Sequence, residues 1–288
     1  MLTLAITGSS GFIGTNFIKN VKDFQIIGID LIDQKVSDIN FAGVDSVLHL
    51  AALVHQMKGA SEEQYFKVNK ELALEVAQKA KQHGVKLFIQ MSTIAVYGNA
   101  SQININSPYQ PQNAYGKSKL MADENILKMQ TDSFKVAIVR PPLVYGGGKA
   151  PGNMMRLIKL ADKRIPLPFK GSDNKRDFIH INNLVQYLSI IAEKQLNGIH
   201  LISDQEPVST EYLLNTISQC LEKKATLIKV PSFILQLIKA IRPNEYNKLF
   251  GTLNIETNFP FEDKIQRNSV KDGITEMVQW YKSNKTKK

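Results

Sequence analysis

The first thirty residues place the strongest constraint on the fold of this chain. Residues 2–6 (LTLAI) form a short apolar run typical of a buried parallel strand. The turn at residues 7–14 (TGSSGFIG) repeats glycine every third residue, and apolar residues then recur at helical spacing over residues 12–21. A second apolar run, residues 24–29, ends at Asp30. The pattern predicts a strand, a glycine turn, a helix and a second strand that ends at an acidic residue.

Each part of this unit suits a bound dinucleotide. Gly8 permits a tight turn out of the strand, Gly11 lets the backbone approach a pyrophosphate, and Gly14 lets the helix lie close on the sheet. The helix N-terminus offers free N–H groups and a partial positive charge to the phosphates. Asp30 can accept both hydroxyls of an adenosine ribose, and residues 31–34 contain no Arg or Lys for a 2′-phosphate. The sequence favours NAD over NADP; the alternative is an ordinary glycine turn.

Length and composition limit the class of protein. The 288 residues fit one large domain or two small ones, and 43% hydrophobic with 22% charged residues is typical of a globular chain. The single cysteine, Cys220, cannot form an internal disulfide and lies in a helical pattern, which favours a core position over a nucleophile. The N-terminus enters a strand directly, and no apolar run reaches the length of a membrane span. We therefore expect a cytoplasmic protein with no membrane partner.

The net charge of +10 is spread unevenly along the chain. Lys282, Lys285, Lys287 and Lys288 lie in a tail that we expect to be solvated. The remaining excess favours an anionic substrate. The basic residues are scattered and no known nucleic-acid-binding module occurs, so no nucleic-acid partner is predicted. No metal site is predicted either.

Strands and helices alternate through the first half of the chain. Strands are predicted over residues 45–52, 85–91 and 134–140, with helices opening at residues 61 and 113. This alternation predicts an α/β fold with a doubly wound parallel sheet of the Rossmann type. After residue 148 the segments become shorter and less regular. We therefore predict an NAD-binding domain over residues 1–150 and a smaller substrate-binding lobe over 151–288, with some return to the sheet.

Two polar residues in the first domain have two interpretations each. His49 lies inside an apolar strand, where a satisfied core histidine is more common than a catalytic base. Asp38 lies in the short, mixed segment 31–44, which has room only for a short strand or a loop. Asp38 either reaches the adenine edge of the cofactor or is a turn residue.

One of three Tyr-x-x-x-Lys pairs has the context that proton transfer needs. Tyr115 and Lys119 share one face of a helix predicted to start at Asn113. Because a nearby ammonium stabilises tyrosinate, we expect Lys119 to lower the Tyr115 pKa toward neutrality and to bond the nicotinamide ribose. In the other two pairs, Tyr145 precedes three glycines and Tyr281 falls in the basic tail.

Two hydroxyl residues end the strand predicted over residues 85–91. Thr93, with Ser92 beside it, lies at the carboxyl edge of the sheet, where ligands bind in open α/β folds. A hydroxyl there can bond a substrate oxygen while Tyr115 moves the proton and the nicotinamide moves the hydride. The alternative is a hydroxyl that caps its own backbone.

These motifs together resemble the extended short-chain dehydrogenase/reductases, specifically the NAD-dependent epimerase/dehydratase group that acts on nucleotide sugars. The matching segments cover about two-thirds of the chain in the family's order: TGSSGFIG (7–14), Asp30, HLAA (49–52), Asn69, STIAVYG (92–98), YGKSK (115–119), RPPLVYG (140–146) and RDFIHI (176–181). The resemblance implies NAD as cofactor and a nucleotide-diphosphate sugar, with UDP favoured, as substrate. It also implies a homodimer through residues 61–83 and 113–130.

The resemblance also implies roles for individual residues. Thr93, Tyr115 and Lys119 would be the catalytic triad, with Arg140 and Pro141 in a turn by the nicotinamide. The predicted cofactor contacts are Gly8, Ser10, Gly11, Phe12, Ile13, Gly14, Asp30, Asp38, Ile39, Leu50, Ala51, Ala52, Asn69, Ser92, Tyr115, Lys119 and Pro141. The predicted substrate contacts are Thr93, Tyr115, Asn153 and Arg176, with the Arg176 guanidinium on the diphosphate.

Departures from the family pattern narrow the reaction. The 4,6-dehydratases carry an Asp-Glu pair just after the strand-end hydroxyl, whereas this chain has Ile94 and Ala95, which cannot move a proton. Leu143 replaces the asparagine of many relatives. The segment 140–146 followed by Pro-Leu-Pro at 166–168 resembles enzymes that make N-acetylated 6-deoxyhexosamines for bacterial surface glycans.

The sequence therefore predicts an enzyme that transfers a hydride and a proton at sugar C4. It is either a UDP-hexose or N-acetylhexosamine 4-epimerase or a UDP-4-keto-6-deoxyhexosamine 4-reductase, because one active site serves both reactions. A non-catalytic NAD-binding sensor on the same fold is the alternative from another class. A reductase of small carbonyls is disfavoured by Arg176 and by the second lobe.

Overall fold

A computed structural model describes residues 1–32, 34–54 and 59–285. The strands within these residues are β1 (Leu2–Thr7), β2 (Phe24–Ile29), β3 (Ser46–His49), β4 (Leu87–Met91), β5 (Gln102–Ile103), β6 (Lys135–Arg140), β7 (Val144–Tyr145), β8 (Ile179–His180), β9 (Gly198–Leu201) and β10 (Asn254–Ile255). The α-helices are α1 (Phe12–Asn20), α2 (Glu62–Phe66), α3 (Leu72–Gln82), α4 (Ala114–Leu127), α5 (Asn153–Asp162), α6 (Ile181–Lys194), α7 (Thr210–Cys220), α8 (Ser232–Ile241), α9 (Pro243–Phe250) and α10 (Val270–Lys285). A π-helical turn, Lys67–Glu71, joins α2 to α3.

Six parallel strands form the central sheet in the order β2-β1-β3-β4-β6-β9. The order reverses direction at β1, so the crevice between the carboxyl ends of β1 and β3 is the expected ligand position. The doubly wound α/β fold predicted from the alternating pattern is confirmed.

Successive residues of β1 pack into different cores because side chains alternate across a strand. Leu4 and Ile6 point into the core under α1 and α6, while Ala5 points into the core under α3 and α4. Both faces of the sheet are therefore covered, which explains the uninterrupted apolar strands.

The second half of the chain builds a third core and also returns to the sheet. Helices α5, α7 and α10 enclose a cluster that includes Met154, Ile217 and Met277. Two small two-stranded sheets, β7-β8 and β5-β10, lie outside the central sheet. Strand β9 is the last strand of the central sheet, and α6 packs on a face of that sheet, although both elements follow residue 150.

Several local predictions are confirmed. Ser61 begins α2 with a reciprocal capping box to Gln64, and Asn113 caps α4 by accepting from the Gly116 N–H at 2.8 Å. Residues 36–38 form a single 3₁₀ turn, in agreement with the short connection expected between Asp30 and β3.

Other features differ from the sequence-based expectation. Helix α9 and the short strands β5 and β10 were not predicted. A strand of two residues is too short to show an alternating pattern. The basic tail is helical to Lys285, where Lys285 pairs with Asp162 and Lys282 pairs with Glu222. Lys287 and Lys288 lie outside the described residues. Among the helices described, none has the length and apolar character needed to cross a membrane.

Candidate active site

Two glycines that follow β1, Gly8 and Gly14, lie where a side chain would collide with the backbone. Gly8 has a φ of +70°, and a Cβ added there would lie 2.8 Å from the Ala51 nitrogen. A Cβ at Gly14 would lie 2.7 Å from the backbone of Ser9, because α1 packs directly on the turn. The turn therefore has the close backbone approach that the GxxGxxG pattern predicts.

The start of α1 is open to an anion. Its N-cap is Gly11, with no side-chain capping bond, and its first turn carries no acid. The N–H groups of the first turn and the positive end of the helix dipole therefore remain available to phosphate oxygens.

The Asp30 carboxylate lies at the end of β2, held in place for a ribose. It accepts from the Ser10 hydroxyl at 2.9 Å and from the Ile32 N–H at 3.1 Å. These bonds lower the pKa of Asp30, so the group is ionised at neutral pH. Sequence reasoning missed Gly28, where a Cβ would approach the Ser9 hydroxyl to 3.0 Å; a glycine inside an apolar strand was the available signal.

A shallow cavity of about 500 Å³ lies beside Asp30, where an adenine ring is expected. Its lining residues are Leu31, Ile32, Gln34, Lys35, Val36, Ser37, Leu72 and Glu75. Asp38 is exposed and accepts from the Ser37 hydroxyl at 2.9 Å. Ile39 is 3% exposed and packs in the core under α3, so its side chain does not face the cavity.

Both polar atoms of the Asn69 side-chain amide form hydrogen bonds within the protein. Its Oδ1 accepts from the Leu53 N–H at 2.7 Å, and its Nδ2 donates to the Leu53 carbonyl at 3.0 Å and to the Ser118 hydroxyl at 3.2 Å. The residue lies in the π-helical turn, a distortion often found at functional sites. Asn69 therefore ties the segment after β3, which includes Ala51 and Ala52, to helix α4, which carries Tyr115 and Lys119.

His49 is a core residue, as the commoner of its two interpretations predicts. It is fully buried, its Nδ1 lies 2.8 Å from the Thr7 hydroxyl, and its ring stacks on Phe88. Burial lowers the pKa of His49 to about 3, and the charge of Lys119 adds to this shift. The imidazole is therefore neutral at physiological pH.

The structure brings Thr93, Tyr115 and Lys119 together at the carboxyl end of β4. An interaction with the Thr93 side chain lowers the pKa of the Tyr115 phenol, which places the two residues side by side. The Thr93 Oγ1 also accepts from the Ala95 N–H at 3.1 Å, so the residue caps its own backbone, and its role toward a substrate stays a prediction. Lys119 is 2% exposed and donates to the Met91 carbonyl at 2.7 Å.

The predicted effect of Lys119 on Tyr115 is wrong for the protein alone. Burial raises the pKa of Tyr115 to about 12, and the Thr93 side chain only partly opposes this rise. Burial also lowers the pKa of Lys119 to about 8, with Asp123 acting in the opposite direction. The reason is that burial penalises the charged form of both groups, while the ammonium is directed to the Met91 carbonyl.

A buried ionic network, which sequence reasoning missed, joins α4 to the ends of β4 and β6. Asp123, on α4, accepts from the Ser92 hydroxyl at 2.6 Å and from Arg140 Nε and Nη2 at 3.1 and 3.0 Å. Arg140 Nη1 donates to the Tyr97 and Tyr109 hydroxyls at 2.8 and 3.1 Å. The spacing of Asp123 one turn after Lys119 was the available signal.

Hydrogen bonds within the protein hold Ser92, Arg140 and Pro141 in the interior. The Ser92 hydroxyl is bound to Asp123, and the Arg140 side chain is 1% exposed and points into the interior. Pro141 is buried, and its carbonyl accepts from the Ile94 N–H at 3.2 Å. The turn after β6 therefore fixes the segment that carries Thr93.

Arg176, predicted to bind the substrate diphosphate, and Asn153, predicted to contact a phosphate or the uracil, both lie in the second half of the chain. Arg176 donates through Nη1 to the carbonyls of Asn247 at 2.9 Å and Gly251 at 2.8 Å. Asn153 is exposed at the first position of α5, whose N-cap Gly152 makes no side-chain capping bond. The Arg176 guanidinium is thus held by the end of α9, a partner that the sequence did not predict.

The other two Tyr-x-x-x-Lys pairs are structural. Tyr145 donates to Asp204 at 2.8 Å, and Tyr281 donates to Asp162 at 2.9 Å beside Lys285. No group of three or more His, Cys, Asp or Glu residues in the described part of the chain is arranged to hold a metal ion.

Comparison with known proteins identifies the family. Residues 4–202 match the model of the NAD dependent epimerase/dehydratase family. The chain belongs to this family. The family predicted from the sequence motifs is therefore confirmed.

Individual relatives include two 4-epimerases. The chain is 30% identical to a UDP-glucose 4-epimerase of Vibrio cholerae, over 88% of this chain and 87% of that protein. It is 28% identical to the N-acetyl-alpha-D-glucosaminyl-diphospho-ditrans,octacis-undecaprenol 4-epimerase of Escherichia coli O157:H7, over 78% and 74% of the two chains. The structure of UDP-glucuronic acid 4-epimerase from Bacillus cereus in complex with NAD aligns with a TM-score of 0.76 at 19% identity, covering 100% of this chain and 99% of that one.

Proposed function

We propose that this protein is an NAD-dependent enzyme that interconverts epimers at C4 of a diphosphate-linked hexose or N-acetylhexosamine, with UDP-sugars as the first class to test. The observation that carries the proposal is the position of the Tyr115 phenol, which lies beside Thr93 at the carboxyl end of β4 and one helical turn from Lys119. The related 4-epimerases of Vibrio cholerae and Escherichia coli support the reaction type. Ile94 and Ala95, where dehydratases need acids, argue against elimination.

The described residues fit a dinucleotide. The uncapped start of α1 would hold the pyrophosphate, Asp30 would hold the adenosine ribose, and Lys119 would hold the nicotinamide ribose. NAD, when bound, supplies the acceptor and donor of the hydride. A solved structural neighbour of this fold contains NAD, which supports the same cofactor here.

The chain's own residues supply the proton transfer and the electrostatics. Tyr115 would exchange a proton with the C4 oxygen, and the Thr93 hydroxyl would bond the same oxygen. Lys119, anchored on the Met91 carbonyl, would place a positive charge near the phenol. An epimerase uses this set twice, on opposite faces of the sugar, whereas a 4-keto reductase uses it once.

A paired assay tests the proposal and separates its two forms. The purified protein is mixed with NAD and UDP-glucose or UDP-N-acetylglucosamine, and the galacto epimer is measured by chromatography. In parallel it is mixed with NADH and UDP-4-keto-6-deoxy-N-acetylglucosamine, and the absorbance of the reduced nicotinamide is followed. Epimer formation supports a 4-epimerase, and stoichiometric loss of NADH identifies a 4-reductase. Neither signal, together with retained NAD binding, would favour the non-catalytic sensor instead.

Removing the ribose ligand tests the cofactor assignment. We expect the Asp30→Ala variant to bind NAD roughly 10- to 100-fold more weakly, since a hydrogen bond to a charged group contributes about 1.5–3 kcal/mol. The preference for NAD over NADP should fall at the same time, because the charge that repels a 2′-phosphate is gone. Titration with NADH and with NADPH, followed by the fluorescence of the reduced nicotinamide, measures the affinity for each form of the cofactor.

The matched control for this variant is Asp23→Ala. Asp23 precedes the amino end of the same strand, β2, and is exposed. Equal NAD affinity in both variants would contradict the role of Asp30. A homodimer through residues 61–83 and 113–130 remains a prediction from the resemblance, and a cytoplasmic location remains a prediction from the sequence pattern.

A further inference from the structure

Helix α8 (Ser232–Ile241, SFILQLIKAI) has seven apolar residues out of ten, and none of its residues is buried. Phe233, Leu237 and Ile241 are 68%, 57% and 67% exposed. Their spacing of four residues puts them on one side of the helix, and we call these three residues the α8 stripe. Large apolar side chains exposed together on a helix indicate an interaction surface.

The inner side of α8 is anchored to the protein, so the stripe is the outer side. Ile234 and Leu235 are half-buried, and α8 packs against α9. The Lys239 ammonium lies 5.7 Å from the centre of the Tyr246 ring on α9, within reach of a cation–π interaction.

Positive charge surrounds the stripe along the chain. Residues 223–244 contain five Lys or Arg residues, at positions 223, 224, 229, 239 and 242, and no Asp or Glu. Lys223 pairs with Asp162 and Lys239 is turned toward Tyr246, whereas Lys229 and Arg242 have exposed side chains just before and just after α8. A second copy of this chain would bring the same positive charges face to face, which disfavours self-association through α8.

An apolar helical stripe with basic residues beside it is the chemistry of a helix that lies in a membrane interface. Such a helix is shorter than a membrane span, so the lack of a spanning helix among the described residues does not bear on it. Lys and Arg residues bind the anionic headgroups, and the apolar side chains enter the boundary of the acyl chains.

We propose that the α8 stripe docks the protein on an anionic membrane surface. Helix α9, on which α8 packs, ends at the Asn247 and Gly251 carbonyls that accept from Arg176. The proposal concerns binding alone and stands whether or not the proposed reaction is correct.

Vesicle sedimentation of the full-length protein tests the proposal. The probes are vesicles of phosphatidylcholine alone and vesicles with 30% phosphatidylglycerol. The stripe variant is Phe233→Ser/Leu237→Gln/Ile241→Gln, and the charge variant is Lys229→Gln/Arg242→Gln. A control variant, Ile27→Gln/Ile105→Gln, removes two apolar residues that are exposed elsewhere, at 39% and 38%.

We expect the native chain and the control variant to sediment with the anionic vesicles. The stripe variant should lose at least about tenfold in partition coefficient, and the charge variant roughly fivefold for each basic residue removed. Binding should also weaken in 0.5 M NaCl because salt screens the headgroup charge. Circular dichroism and NAD titration verify that each variant is folded.

Two results would overturn the proposal. One is equal binding of the native chain and the stripe variant to anionic vesicles, or no binding by either. The other is a native dimer that the stripe variant converts to a monomer without any vesicle binding, which would assign α8 to a second copy of the chain.

Discussion

Turnover by the Tyr115→Phe variant is expected to fall about 10²- to 10⁴-fold, the usual contribution of a positioned acid or base. The substitution removes only the hydroxyl beside Thr93, and it keeps the ring that contacts Tyr65 edge-on at 6.2 Å between centroids. The fold and the affinity for NAD should therefore stay close to those of the native enzyme. Epimer formation from a UDP-hexose measures turnover, and fluorescence titration measures NAD binding.

The chain contains a matched control for this experiment. Tyr281 belongs to another Tyr-x-x-x-Lys pair, and its hydroxyl donates to Asp162 at 2.9 Å, away from the sheet edge that carries Thr93. Tyr281→Phe should keep native turnover and lose about 1 kcal/mol of stability or less. If Tyr115→Phe retained near-native turnover, or if both variants lost it equally, Tyr115 would not be the proton-transfer residue.

The pKa of Tyr115 shows where prediction from a motif fails. The i, i+4 spacing correctly places Lys119 one helical turn away, but it gives no information on solvation. Burial raises the pKa of Tyr115 to about 12 and lowers that of Lys119 to about 8. The phenol therefore needs a positive charge additional to Lys119 to act as a base near neutral pH, which predicts strong coupling between cofactor binding and the Tyr115 pKa.

The central sheet was predictable because its signals are local. Each strand is a continuous apolar run, and the glycine turn ties β1, α1 and β2 together within thirty residues. Asp30 was identified for the same reason, since its role depends only on its place at the end of β2.

Residues whose partners are distant in sequence were not predictable. Asn69 bonds Leu53 and Ser118, which are 16 and 49 residues away. Arg176 bonds carbonyls 71 and 75 residues away, on a helix that the sequence pattern did not reveal. A motif can indicate the chemical type of such a residue, but only the fold determines which groups it contacts.

The largest expected loss of stability follows from Arg140→Met. The side chains of Arg140 and Asp123 are 1% and 0% exposed, and Arg140 Nη2 lies 3.0 Å from Asp123 Oδ2. Burial alone would lower the Arg140 pKa, but the Asp123 carboxylate and the neighbouring tyrosines raise it, so the guanidinium is charged. Removing it leaves the carboxylate buried without its counterion, which costs about 3–5 kcal/mol. Urea unfolding measures the difference.

Two further variants distinguish the stability lost with the buried ion pair from the stability lost by shortening a charged side chain. Lys194→Met removes an exposed ion pair with Glu193 and should change stability by about 1 kcal/mol or less. Arg140→Met/Asp123→Leu removes both buried charges and should be less destabilised than Arg140→Met alone, because no unpaired carboxylate remains. Equal losses for Arg140→Met and Lys194→Met would show that the pair does not stabilise α4. A loss confined to Arg140→Met would show that the buried pair, which links α4 to β6, stabilises the fold that positions Tyr115 and Lys119.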